Sequence, residues 1–382
     1  MLKRYIVYYP QESGSVEEEW EQCRVQMAND MLSGIRPIKL NIFVNRPDYP
    51  SYVQIKKLIG GSVTETFGDI CPAFNVSLHP PEKPGNVAVE ALFIEGNHAA
   101  ITTRFYNTLP YVVIETDSVK EVWGAGLGDD QQMDDTRFAA SAAFEMVLEI
   151  LRREGLTLNN IVRQWNYIGE ILRINGGFQN YQVFNEVRSE YYKKYRTVSG
   201  YPAATGVGMK YGGVFLDFCA LKADESIKLK AVNNPGQVNA YEYGQQVLKG
   251  IVNSGSALKH PPQFERGLLL ANRTSNTLFV SGTASIIGQE TIGKGDVEEQ
   301  ALVTIENIRN VADWKRISQL TGKDDLGPGK FSLLRVYIKN QKDFHPVKSI
   351  CKKHFPAVPV IFIEADICRD DLLTEIEAEV SI

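Results

Sequence analysis

The order of secondary-structure patterns in the first half of this 382-residue chain returns in the second half. In each half a strand enters a glycine turn, a long helix follows, and a second strand closes the unit; the turns are EVWGAGLG at 121–128 and LFVSGTASI at 278–286. Acidic residues suit a helix N-terminus. Asp134 and Asp135 mark the first helix and Asp296 the second, which is predicted to run unbroken through VEEQALVTIENIRNVADWKRI.

A strand–helix–strand unit buries one face of a sheet under its helix. The repeat therefore predicts an α+β chain of two domains, 1–195 and 196–382, each a mixed sheet covered on one face by helices. A polar, aromatic-rich bridge, FQNYQVFNEVRSEYYKKYRTVSGYP, is placed between them. An earlier helix is predicted from Ser15 to Leu32, where Gly34 follows.

Composition restricts the class of protein. Hydrophobic residues make up 43% and charged residues 23%, as in a globular protein without low-complexity segments. The net charge of −5 gives no field that would attract nucleic acid or an anionic membrane. The five cysteines contain no CxxC pair and the five histidines have no metal-ligand spacing, so we expect reduced thiols in a cytoplasm and no metal site. The N-terminus lacks the apolar core of a signal peptide.

The last strand pattern places three carboxylates on one face. Glu375, Glu377 and Glu379 alternate with Ile376 and Ala378, which is the period of a β-strand. A solvated strand face and a functional face both fit this alternation.

Two earlier strands carry cationic and aromatic side chains by the same parity. Arg335, Tyr337 and Lys339 share one face of SLLRVYIKN, and Arg163 and Trp165 share a face of IVRQWNYI. An arginine fork and a lysine point charge on either side of a tyrosine suit a dicarboxylate ligand. A solvated face is the equal alternative.

Two segments of small residues would let a ligand approach the backbone. YPAATGVG, at 201–208, is predicted to end in a glycine turn in which Thr205 and Gly206 face a ligand; the GxGxxG pattern of a dinucleotide site is absent. In SGTAS, Gly282 and Thr283 offer amides and a hydroxyl. No GxSxG elbow and no Ser–His–Asp spacing supports hydrolysis by a catalytic triad.

Taken together, these motifs resemble the chorismatases, the chorismate-cleaving branch of the YjgF/Rid superfamily. The resemblance rests on WNYI at 165–168, YQxFNxxR ending at Arg188, YPAATGVG, SGTASI and ADICRxDLLxEIE ending at Glu377, and it spans about residues 100 to 382. It implies two YjgF-like (chorismate-mutase-like) domains, with a degenerate site in the first and the active site in the second.

The resemblance also implies the chemistry. Glu375 takes the family's catalytic acid position and would protonate the enol ether of chorismate, with loss of pyruvate and without a cofactor. Cys368, seven residues earlier, matches the branch that forms 3-hydroxybenzoate; 4-hydroxybenzoate and a dihydrodiol remain alternatives. Arg335, Lys339 and Arg266 are the expected ligands of the substrate carboxylates. Gln289 stands where the family pattern has a histidine.

Two other functions stay open at this stage. A YjgF-type enamine or imine deaminase would need an arginine fifteen residues before the terminal glutamate, and Val360 occupies that position. A non-catalytic protein that binds a small carboxylate is the third hypothesis. The resemblance leaves a monomer and a homotrimer equally possible.

Overall fold

The computed structural model describes residues 2–96, 99–129, 135–225, 227–251, 258–272, 276–323 and 327–382. Within these ranges the chain forms three large sheets in succession, each with helices packed on one face. Parallel and antiparallel strand pairs occur in every one of the three. The α+β class predicted from the sequence is confirmed.

The first sheet comes from the residues to which no motif was assigned. Its elements are β1 (Leu2–Tyr8), α1 (Val16–Met31), β2 (Arg36–Val44), α2 (Tyr49–Phe67), β3 (Ala73–Ser77) and β4 (Val87–Glu95), with strand order β1-β4-β2-β3. The predicted first helix is confirmed as α1. Ser15 caps it, because its side chain accepts from the Glu18 amide while the Glu18 carboxylate accepts from the Ser15 amide.

The middle sheet has six strands in the order β11-β8-β12-β7-β6-β5. Its elements are β5 (Ala100–Tyr106), β6 (Leu109–Glu115), β7 (Val119–Leu127), α3 (Thr136–Arg153), β8 (Ile161–Gly169), the short β9 (Ile174–Asn175) and β10 (Phe178–Gln179), α4 (Asn180–Tyr195), β11 (Ala203–Met209) and β12 (Val214–Ala223). Asp135 caps α3 by accepting from the Phe138 amide, whereas Asp134 lies outside the described residues.

Two expectations for this region are corrected. The predicted bridge contains helix α4, whose Phe184, Val187 and Tyr192 pack against the middle sheet. The segment YPAATGVG is strand β11 rather than a turn, because it pairs in parallel with β8. The predicted boundary at residue 195 lies between α4 and β11, and both belong to this layer; by strand pairing, the layers change near residues 96 and 225.

The third sheet has the order β13-β14-β15-β20-β18-β19. Its elements are β13 (Lys228–Val232), β14 (Gly267–Ala271), β15 (Asn276–Ala284), the short β16 (Ile286–Ile287) and β17 (Glu290–Thr291), α5 (Val297–Val311), α6 (Trp314–Thr321), β18 (Lys330–Ile338), α7 (Phe344–His354), β19 (Val360–Glu364) and β20 (Thr374–Ser381). The long helix predicted after Asp296 is two helices. It breaks because the Asp313 side chain accepts from the Lys315 amide and starts α6.

The faces of the three sheets that do not carry helices meet in one central core. That core contains Ile38 and Leu92 of the first sheet, Trp123 of the middle sheet, and Phe279 and Tyr337 of the third. The helices therefore lie outside, and any polar side chain on an inner face is buried between sheets. In the described part of the chain no helix has the length and apolar character required to cross a membrane.

Candidate active site

The terminal strand β20 lies between β15 and β18, which places its three glutamates at the centre of the third sheet. Glu375 pairs with Ala284 and Tyr337, and Glu377 pairs with Arg335. The side chains of Glu375, Glu377 and Glu379 point to the inner face and are 5%, 4% and 7% exposed. The shared face is confirmed, and the alternative of a solvated face is excluded.

The three carboxyl groups have different surroundings although they lie on one face. Glu379 accepts a hydrogen bond of 2.5 Å from the Tyr5 hydroxyl of the first sheet. Glu377 binds the guanidiniums of Arg163 and Arg335 and the Trp165 indole. Glu375 makes none of these contacts and instead lines a cavity between the middle and third sheets.

This cavity lies between the middle and third sheets. It is lined by Asn166, Tyr181, Arg188, Ala204, Thr205, Gly206, Tyr243, Pro262, Phe264, Arg266, Gly282, Ala284, Ile286, Cys368, Arg369 and Glu375. Residues from β8, α4 and β11 form one wall, and residues from β15, β20 and the loops before β14 and β20 form the other.

A β-bulge in β15 brings the two walls together. The register of β15 against β20 shifts between Val280 and Thr283, so Ser281 and Gly282 stand opposite one residue of β20. The Ala204 amide donates to Ser281 Oγ at 2.9 Å, and the Gly282 amide donates to Thr205 Oγ1 at 3.0 Å. Strand β11 is thereby bound to the third sheet directly beside Glu375.

Position 282 has no room for a side chain. A Cβ at this position would lie 2.1 Å from Oε1 of Glu375 and 2.9 Å from Cγ2 of Thr205. The glycine therefore leaves room for the Glu375 carboxyl group against β11.

Burial raises the pKa of Glu375 to about 8, and the nearby Glu377 carboxylate acts in the same direction. Arg266 and Arg163 oppose the rise without cancelling it. For Glu377, burial also disfavours the charge, but the guanidiniums of Arg335 and Arg163 outweigh it and hold the pKa below its usual range. At neutral pH Glu375 therefore keeps its proton, whereas Glu377, two residues further along the strand, is a carboxylate. Such a difference in pKa between neighbouring carboxyl groups is typical of acid–base sites.

Cys368 lines the cavity beside this acid. Burial and the Glu375 carboxyl group raise the pKa of the Cys368 thiol to about 12. The side chain is therefore a neutral thiol at physiological pH and not a thiolate nucleophile.

Three arginines give the cavity its charge. Arg188, Arg266 and Arg369 each have a buried nitrogen without a hydrogen-bond partner among the described residues: Nε, Nε and Nη2 respectively. Tyr243 organises two of them, since it accepts a hydrogen bond of 2.6 Å from Arg266 and its ring lies 5.0 Å from the Arg369 guanidinium. Glu375 is the only carboxyl group among the lining residues that the structure describes. The cavity is therefore suited to an anion with more than one negative group.

The predicted site residues divide into two groups. Glu375, Cys368, Arg266, Thr205, Gly206 and Gly282 come together in the cavity. Arg335, Tyr337, Lys339 and Thr283 do not line it. Val360 and Gln289 are also outside the lining; the Gln289 side chain accepts from the Gly244 amide.

The four residues outside the cavity have other partners. Arg335, 1% exposed, is held between Glu90 and Glu377, and the Tyr337 hydroxyl contacts the same Glu377. Lys339 pairs at the surface with Asp370. The Thr283 hydroxyl donates to the Ser281 carbonyl on the opposite face of the sheet. The strand face of Arg335 and Tyr337 meets the first sheet, so these two side chains are not solvated.

Sequence reasoning missed Arg188 and Arg369 as ligand-facing cations. Arg188 ends the YQxFNxxR motif and Arg369 follows Cys368, so both lay within recognised segments. Their convergence with Arg266 depends on how α4 and two loops pack, which strand parity does not reveal.

Comparison with known proteins gives consistent matches. The family model described as "Chorismatase FkbO/Hyg5-like, N-terminal" matches residues 94–221, which is close to the extent of the middle sheet. A 3-hydroxybenzoate synthase from Streptomyces hygroscopicus is 31% identical over 249 residues, covering 63% of this chain and 69% of that protein. A chorismatase from Streptomyces rapamycinicus is 30% identical over 253 residues, covering 64% and 71%. A crystal structure of a chorismatase superposes with a TM-score of 0.68 over 99% of this chain and 98% of its own, at 20% identity, which shows a shared fold.

Proposed function

Because the chain belongs to the chorismatase family, we propose that it removes the enolpyruvyl group of chorismate as pyruvate, with Glu375 as the proton donor. The observation that supports this most is the carboxyl group of Glu375, buried in a cavity with three guanidiniums and with its pKa raised to about 8. A carboxylic acid that keeps its proton at neutral pH can protonate a weakly basic carbon.

The proton of Glu375 adds to the methylene carbon of the enol ether, and the electrons of its double bond form the new C–H bond. The resulting oxocarbenium ion is stabilised by the Glu375 carboxylate left behind. The bond between the ring carbon and the ether oxygen then breaks with its electrons on the oxygen, which releases pyruvate and leaves a ring cation. Migration of the neighbouring hydroxyl group to that carbon, followed by loss of that carbon's proton to Glu375, gives 3-hydroxybenzoate. The overall conversion of chorismate to pyruvate and a hydroxybenzoate consumes no water and no external proton, so no other reactant is needed.

Arg188, Arg266 and Arg369 are proposed to bind the two carboxylates of chorismate. Each has a buried nitrogen with no acceptor among the residues that the structure describes, and leaving such a group unpaired is costly. A dianion supplies the missing acceptors. Among the described lining residues, Pro262, Phe264, Ala284 and Ile286 provide the apolar surface on which a six-membered ring can pack.

The product is proposed to be 3-hydroxybenzoate. Cys368 lines the cavity, the family resemblance associates this cysteine with that product, and one relative is named for it. The neutral thiol adds bulk beside Glu375 without adding charge. Cys368→Ala is expected to shift the product towards the dihydrodiol, because the smaller side chain leaves space for a water molecule.

Incubation of the purified protein with chorismate, followed by chromatography, tests the proposed function. The expected result is pyruvate and 3-hydroxybenzoate in equal amounts, with neither in a heat-denatured sample. Saturable binding of chorismate without any product would contradict it. Hydrolysis of 2-aminoacrylate with chorismate untouched would favour a deaminase instead.

A further inference from the structure

None of the described residues of the first sheet lines the cavity, yet this sheet is connected to Glu377, the buried carboxylate next to Glu375 on β20, through Arg335. Glu90, on β4, binds Arg335 with both carboxylate oxygens: Nε donates to Oε2 at 2.6 Å and Nη2 donates to Oε1 at 2.6 Å. The remaining nitrogen of Arg335, Nη1, donates to Glu377. A buried chain of contacts thus runs from the first sheet to the residue two positions after Glu375.

The middle sheet holds Glu377 from the other side. Arg163 Nη2 donates to Glu377 Oε2 at 2.8 Å, and Trp165 Nε1 donates to Oε1 at 2.8 Å. The same Arg163 nitrogen donates to Thr205 Oγ1, the atom that accepts from the Gly282 amide beside Glu375. Glu377 is therefore held directly by groups of the middle and third sheets, and Glu90 of the first sheet reaches it through Arg335.

We propose that Glu377 is a positioning residue of the reaction, which keeps Glu375 in its acid form by holding a negative charge behind it, and that Glu90 supports this arrangement through Arg335. This inference rests on the proposed function. It gives the first sheet, which lies almost entirely outside the matched family model, a part in catalysis.

The charges explain why both carboxylates matter. Glu90 and Glu377 balance Arg163 and Arg335, so the buried cluster of these four is neutral. Removing either carboxylate leaves the cluster with a net positive charge. A positive charge there favours ionised Glu375, which cannot donate a proton.

Other titratable groups also face Glu375, and they must stay in place during a test. They are Tyr181 and Arg188 of α4, Tyr243 and Arg266 before β14, and Cys368 and Arg369 before β20. The groups around Glu377 are Arg163, Tyr167, Arg335 and Tyr337, with Glu90 beyond Arg335. The three substitutions whose pH dependence is compared, at Glu377, Glu90 and Glu379, leave every residue that lines the cavity unchanged.

The pH dependence of kcat/KM tests the proposal in Glu377→Gln and Glu90→Gln. Glu379→Gln is the matched control, because Glu379 is equally buried on the same strand face but binds Tyr5. Glu375 and Glu377 are separated by roughly 7 Å along the strand. Without the negative charge of Glu377, Glu375 loses its proton more easily. In Glu377→Gln the fall of kcat/KM at alkaline pH should therefore begin roughly one to two pH units lower, and Glu90→Gln should shift it less in the same direction. The control should leave it in place.

A second measurement keeps the inference separate from the proposed function. The titration of the Glu375 carboxyl group is followed by ¹³C NMR in each protein without substrate, with the signal assigned through Glu375→Gln. If chorismate is not cleaved but the titration shifts as expected, the proposed function fails, while the effect of Glu377 and Glu90 on the protonation of Glu375 is established. If chorismate is cleaved but Glu377→Gln shifts neither the pH profile of kcat/KM nor the titration of the Glu375 carboxyl group, the inference is overturned. Should Glu377→Gln fail to fold, Glu90→Gln decides by the same two readouts.

Discussion

Replacement of Gly282 by alanine tests the packing that positions the proton donor. The backbone there does not adopt a positive φ, so alanine adds only one methyl group. That methyl would lie 2.1 Å from Oε1 of Glu375, whereas real Cβ contacts are essentially never shorter than 3.0 Å, so the carboxyl must move by about 0.9 Å. Misplacement of a reacting group by about 1 Å costs roughly 100-fold in rate.

We therefore expect Gly282→Ala to lower kcat for pyruvate release about 100-fold and to reduce the free energy of unfolding by about 1–3 kcal/mol through overpacking. Pyruvate is measured in a coupled assay, and unfolding by urea with circular dichroism. Gly61→Ala is the control, because no atom lies within 4 Å of its added methyl group, and it should retain wild-type kcat. Wild-type kcat in folded Gly282→Ala would refute the reasoning.

Three further predictions follow from the site. Because Glu375 is an acid with a pKa near 8, kcat/KM should be level just below pH 8 and fall about tenfold per unit above it; a limb near pH 4.5 would contradict this assignment. Arg266→Leu and Arg369→Leu should each raise KM for chorismate about 10- to 100-fold in steady-state assays, since each loses a charged hydrogen bond; unchanged KM in both would remove them from substrate binding. Lys339→Ala should leave KM unchanged because its pair with Asp370 is at the surface. Arg335→Met should cost about 3–5 kcal/mol in urea unfolding because it removes the guanidinium that pairs with buried Glu90 and one of the two that bind Glu377. A raised KM in Lys339→Ala, or wild-type stability in Arg335→Met, would contradict the placement of these residues.

Strand parity in the sequence correctly grouped the inner-face residues of β20, and Arg335 with Tyr337 on β18. Lys339, grouped with those two, lies beyond the end of β18 and pairs with Asp370. Parity could not show what each face meets, because the partners come from another sheet. Glu377 and Arg335 lie on the predicted faces, yet they bind each other and Glu90, which lies 245 residues from Arg335. Arg335 therefore does not line the cavity, whereas Arg266, named by resemblance alone, does.

Local signals were reliable where a side chain caps its own helix. Ser15, Asp135 and Asp296 start helices as predicted. Asp313 was overlooked because it lies inside a continuous helical pattern, although the same capping chemistry applies to it. The first sheet carried no motif, since its contribution is one buried carboxylate whose role depends on tertiary contacts.

The central claim is that Glu375 supplies the proton that starts cleavage. Its most direct test is the rate of pyruvate release from chorismate by Glu375→Gln, compared with the wild-type protein and with Glu379→Gln on the same strand face. The account predicts a loss of about 100- to 10,000-fold in kcat for Glu375→Gln, the usual contribution of a general acid, with the fold intact by circular dichroism. A folded Glu375→Gln protein that releases pyruvate at the wild-type rate would contradict it.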